Sequence, residues 1–110
     1  MASVSNLAID QGSNTTVTIS VTDETGSARN LVAYSGRGQL KRSYFSTSGI
    51  SFTVTIPNPS EGEVILSLTA DQTANLKYGR YVYDVELVSN AFNVERIVEG
   101  IITVYPEVTK

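Results

Sequence analysis

The stretch TVTISVT, from Thr16 to Thr22, puts Val17, Ile19 and Val21 on alternate positions with threonine or serine between them. A period of two belongs to an extended strand, whose successive side chains leave the backbone on opposite sides. The pattern returns in ISFTVTI, with Ile50, Phe52, Val54 and Ile56 in phase, and in EVILSL, with Val64, Leu66 and Leu68. RYVYDVEL sets Tyr81, Tyr83, Val85 and Leu87 against Val82, Asp84 and Glu86. A chain built of such runs buries one face of each strand, so its strands must stack as sheets.

Other segments are less regular. AYSGRGQLKRS reads as a weaker strand whose two glycines signal a bulge or a close backbone approach. NVERIVEGIITVY is apolar in both phases, and NLAID reads as a short edge strand. Turn-forming stretches separate the runs: DETGSARN, STSG, PNPSEG and SNAFN. Pro57 and Pro59 make the third of these the clearest break, because proline donates no ladder hydrogen bond. One short helix is expected over residues 70–77, with Thr69 as its cap and Gln72 completing a capping box. It falls between the fifth and sixth strands. The expected fold is all-β, an antiparallel immunoglobulin-like β-sandwich of about seven strands. Residues 1–110 form a single domain of it, long enough to bury roughly 60–70% of the unfolded surface.

LKYGRYVYDVEL holds three tyrosines and a glycine within six residues. In sandwiches of this type a tyrosine at the start of the sixth strand locks the corner between the sheets. Tyr81 fits that place, Tyr83 points into the core two residues on, and Gly79 supplies a backbone angle that other residues resist. Tyr78 is left between covering the helix and standing exposed.

The composition restricts the chemistry. The chain has no cysteine and no histidine, so thiolate catalysis, Ser-His-Asp triads and the commonest metal ligand are absent. A net charge of −3 does not suit a nucleic-acid binder. The opening MASVSNLAID has neither the basic start nor the apolar run of a secretory leader, and no apolar segment is long enough to cross a membrane. Asp84 and Glu86 share a strand face, but a hydrolytic pair needs a cleft and one raised pKa. Cross-strand ion pairing with Arg37 and Lys41 is the expected arrangement instead. Asp10, Asp23, Glu24, Glu61 and Glu63 lack the dense spacing of a calcium loop. SGRG lacks the helix and lysine of a phosphate loop. No catalytic, cofactor-binding or metal residue is assigned, and no small-molecule ligand is expected.

The last strand exceeds a plain sandwich. If Val98, Ile102 and Val104 fill the core, then Ile97, Ile101 and Tyr105 point outward, joined by Val82 and Val88 on the neighbouring strand. Such a stripe is either covered by the chain's own loop, Asp23 to Asn30, or is a protein-binding surface. Arg37, Lys41, Glu95 and Glu99 would rim it.

IDQGS (Ile9 to Ser13), ARNLVAYSGRGQLKRS (Ala28 to Ser43), LSLTADQTANLKYGRYVYDVEL (Leu66 to Leu87) and RIVEGIITVYPEVT (Arg96 to Thr109) follow in that order. This order resembles small virion structural proteins of tailed bacteriophages, especially contractile-tailed phages of the cyanobacterial type. It is also similar to the immunoglobulin-like N-terminal domain of phage baseplate upper proteins. The resemblance implies a non-enzymatic particle component of tail or baseplate, located in the virion, made in the host cytoplasm and not secreted. Its partners would be other virion proteins and further copies of itself, with no nucleic acid and no membrane. Where the domain begins a longer protein a further segment follows; this chain ends at Lys110, which favours a stand-alone assembly or decoration role. An alternative is an adhesion module binding host glycan or protein through the loop aromatics Tyr44, Phe45, Tyr78 and Phe92. A regulator made during infection and absent from particles is a third.

Overall fold

A computed structural model describes residues 3–23, 25–46 and 49–108. Glu24, part of the STSG turn and Lys110 lie outside the described residues. The elements are β1 (Ser3–Val4), β2 (Leu7–Asp10), β3 (Thr15–Ser20), β4 (Tyr34–Lys41), β5 (Ile50–Ser51), β6 (Thr53–Thr55), β7 (Glu63–Leu68), α1 (Ala70–Ala74), β8 (Gly79–Ser89) and β9 (Val94–Tyr105). A 3-10 turn at Pro59–Glu61 leads into β7. One sheet runs β1-β9-β8-β4-β5 with β2 also on β9, and the other runs β3-β7-β6. The fold is an all-β sandwich, and β3, β4, β6, β7, β8 and β9 divide between its sheets as in immunoglobulin-type domains.

The alternating residues meet in one core. Leu40, Phe52, Val64, Leu66, Leu68, Tyr81, Tyr83, Val85, Leu87, Val98, Ile102 and Val104 are all buried in it. Each fully buried aliphatic side chain contributes about 1.5–3 kcal/mol. Gly36 and Gly38 sit on the inner face of β4, where a side chain would press on Val54 and Phe52. The two glycines therefore mark close approach, and β4 keeps an unbroken register with β8.

The first strands depart from expectation. β1 and β2 pair with β9 in parallel, so the larger sheet is mixed and not purely antiparallel. At the break between them the Ser5 N–H donates to Glu99 O at 2.9 Å, and the Ile101 N–H donates to Asn6 Oδ1 at 3.1 Å. Gly100 leaves space for this, since a side chain there would collide with the Ser5 carbonyl.

ISFTVTI is not one strand. Ile50 and Ser51 pair with β4, whereas Thr53 to Thr55 pair with β7 in the other sheet. Phe52 is the crossing point: its N–H donates to Gly38 O at 2.9 Å and its ring meets Tyr83 edge-on at 6.2 Å. The side chains keep one inward phase while the backbone changes partner.

The helix is shorter than the expected 70–77, ending at Ala74 with Asn75 as its cap. Leu76, just past that cap, is buried in the core. Its start is as expected, with both arms of the Thr69–Gln72 capping box formed.

Candidate functional site

The corner at the start of β8 is built from the backbone outward. Gly79 adopts a φ of +129°, a region that favours glycine. The Tyr81 hydroxyl donates to Lys77 O at 2.8 Å and the Tyr83 hydroxyl to Ser5 O at 2.6 Å. Arg42 completes the corner. Its guanidinium donates to Arg80 O and Tyr78 O and lies 4.6 Å from the Tyr81 ring centroid. It occupies the space beside Gly79 that a side chain would need. Gly79, Tyr81 and Tyr83 thus hold the structural roles expected of them, while Arg42 carries no pattern in the sequence.

The outer face of the larger sheet holds most of the candidate interface. Val82 is opposite Ile101 on β9 and opposite Lys41 on β4. Tyr105 lies further along β9 on the same side and is half exposed. Val88 is opposite Val94 at the other end of the strands. Charges separate these apolar ends. Arg37 stands opposite Glu86 and bonds it at 2.8 Å, as expected. Lys41 does not face Asp84, whose partner on β4 is Gln39.

Asp84 instead stands opposite Glu99, a like-charged pair that is unfavourable by itself. Arg96 bridges the two, 3.3 Å from Asp84 Oδ2 and 3.1 Å from Glu99 Oε2. Burial pushes the Asp84 carboxyl above its ordinary value, and Arg96 opposes that shift. Asp84 and Glu86 therefore each have a cation. A shallow depression of about 330 Å³ lies over this lattice, bordered by Lys41, Tyr44, Val82, Asp84 and Arg96.

Ile97 is not on this face. The register of β8 with β9 slips between Val85 and Glu86, so Val85 opposes Val98 and Glu86 opposes Arg96. Ile97 is the extra residue of the bulge and packs against the core. The same slip turns Glu95 away from the outer rim. Arg29 grips it with two bonds of 2.8 Å and donates to the Tyr34 hydroxyl at 3.2 Å. Those bonds hold the Glu95 carboxyl below its ordinary value. The sequence did carry a signal for the slip: an inward Val98 in strict alternation would send Arg96 into the core.

The described part of the loop from Asp23 to Asn30 does not cover the outer face. It folds back on β3, with the Arg29 N–H donating to Val21 O and a bridge between Thr22 and Ala28. The Thr25 hydroxyl and amide and the Ser27 amide donate to Asp23 Oδ1 and lower its pKa. Among the described residues no group of three histidine, cysteine, aspartate or glutamate side chains is placed to hold a metal ion.

The loop aromatics do not form one surface. Lys41 opposes Val82 and Tyr34 opposes Ser89, so Tyr44, Phe45 and Tyr78 lie at one end of the sandwich. Phe92, in the turn between β8 and β9, lies at the other. All four are exposed, including Tyr78. Compared with known proteins, the chain matches no protein-family model and no curated protein.

Proposed function

We propose that this chain is a non-enzymatic structural component of a tailed-phage particle, associated with tail or baseplate, that assembles through the outer face of its larger sheet. The carrying observation is the Val82–Ile101 pair, two β-branched residues directly opposed on an open sheet face, with Ile101 41% exposed. Arg80, Lys41, Asp84 and Glu99 are its neighbours on that face, so an apolar centre has a charged border as in protein–protein contacts. Val82, Ile101, Tyr105 and Lys41 would contact the partner near one end, Val88 with Val94 near the other, and Arg37 between them. The phage assignment rests on the sequence resemblance, and the surface supports the assembly role.

Mass spectrometry of purified particles from the phage encoding this chain tests the proposal. Trypsin should release YVYDVELVSNAFNVER and IVEGIITVYPEVTK at a stoichiometry set against the major capsid and tail proteins. Their absence from clean particles, with presence in the infected lysate, would remove the virion role. Particles grown with an Ile101→Asp chain should lack the protein although it remains folded.

A further inference from the structure

The edges of the two sheets differ in how they are guarded. β5 has two residues, and β6 has three and runs through Ile56 into Pro57. The β1–β2 edge is interrupted at Ser5–Asn6 and closes on Asp10. Short length, proline, breaks and charge are the usual means by which sheet edges avoid pairing. β3 has none of them. Its six residues pair with β7 without a register shift, and no residue from Asn14 to Thr22 is charged or a proline.

The backbone of β3 has free groups along its outer side. The Val21 N–H donates to Gly62 O at 2.8 Å, so the odd-numbered residues turn their N–H and C=O toward β7. Thr16, Thr18 and Ser20 turn theirs outward. Among the described residues no other hydrogen bond reaches them. Beneath this edge, Val17 and Ile19 are only half buried and line a cleft of about 290 Å³ that Leu7 and Ile97 border from the other sheet.

We infer that β3 is a pairing edge for a second copy of this chain, joined antiparallel about a twofold axis at Thr18. In that register Thr18 faces its own copy and Thr16 faces Ser20, each pair exchanging both backbone hydrogen bonds. Val17 then faces Ile19 of the other chain on the inner side, a pairing of β-branched residues over the cleft. Hydroxyls meet hydroxyls on the outer side. The strand carries no charge to repel its own copy or to select a different partner, and Glu95, which also lines the cleft, is already paired with Arg29. Each three-stranded sheet becomes half of a continuous six-stranded one, an isologous contact. This surface is separate from the outer face of the larger sheet.

Sedimentation velocity of the full chain across a concentration series tests the inference. The wild type should sediment at twice its 11.9 kDa mass. Thr18→Lys should halve that mass, and Thr18→Pro should do the same because the lost N–H makes no bond to β7. If the proline variant loses its far-UV circular dichroism, the lysine variant decides. Amide exchange at Thr16, Thr18 and Ser20 should slow as concentration rises. A wild type that stays monomeric overturns the inference, as does a dimer that survives Thr18→Lys. A dimer dissolved only by Ile101→Asp would also overturn it, placing the contact on the outer face and leaving the proposed function standing.

Discussion

Ile101 and Ile102 are neighbours of the same residue type on β9, yet one is 41% exposed and the other fully buried. Ile102 stands opposite Tyr81 in the core, and Ile101 stands opposite Val82 on the outer face. Side-chain chemistry is equal for the two, so the whole difference comes from which side of the sheet the second sheet covers. The inner face of β8 and β9 is therefore a stability surface. The outer face, where the same strands carry Val82, Ile101 and an ion-pair lattice, is free to serve contact. A residue type alone does not assign a role; its phase relative to the packed layer does.

The largest expected effect tests that division directly. Ile102→Ala should lose about 2–5 kcal/mol in urea unfolding through lost burial and the cavity left behind. Ile101→Ala should stay within about 0.5 kcal/mol, as surface changes do. Equal losses at the two positions would break the comparison and make Ile101 part of the core. Gly79→Ala should cost about 1–3 kcal/mol, since alanine would hold a φ of +129° and displace Arg42. Tyr81→Phe, which keeps the ring in the core and removes only the bond to Lys77, should cost about 1 kcal/mol.

Smaller effects sharpen the contrast between two carboxylates. Glu95 has a lowered pKa in the folded chain, so its stabilising pairing with Arg29 is present above the ordinary value of 4.5. That contribution fades as pH falls through the lower folded value. Asp84 has a raised pKa, so its contribution is present below its ordinary value of 3.8 and is lost as pH rises through the folded value. Thermal unfolding of Glu95→Gln from pH 7 downward should show a weaker acid loss than wild type. Asp84→Asn should show a steeper one, because it removes the opposing contribution. Matching slopes for the two variants would mean that Arg29 and burial do not separate these groups.

The regions legible in the sequence share one property, that their cause is local. Alternation placed Tyr81, Tyr83, Val85 and Leu87 inward and Val82, Asp84 and Glu86 outward. The Thr69 cap and the positive φ of Gly79 depend on residues within a turn of each other. The Arg37–Glu86 pair was readable once β4 and β8 were placed side by side. Arg96 was not legible in this way because both of its partners depend on a bulge, and the same bulge turns Ile97 from the outer face toward the core. Lys41 stands opposite Val82 and not a carboxylate, because the register of β4 on β8 is set by the whole strand pairing and not by the neighbours of Lys41 in sequence.

Period, turn chemistry and the inward phase of the regular strands were thus determined by the sequence alone, since each follows from steric and solvation preferences within a few residues. Tertiary structure decided the partners. The parallel docking of β1 and β2 on β9, the passage of the chain between sheets at Phe52 and the seating of Arg42 beside Gly79 each join segments distant in the chain. Backbone hydrogen bonding is the same for every residue, so it fixes no partner by itself. Only the closure of one buried core selects among the registers that alternation permits.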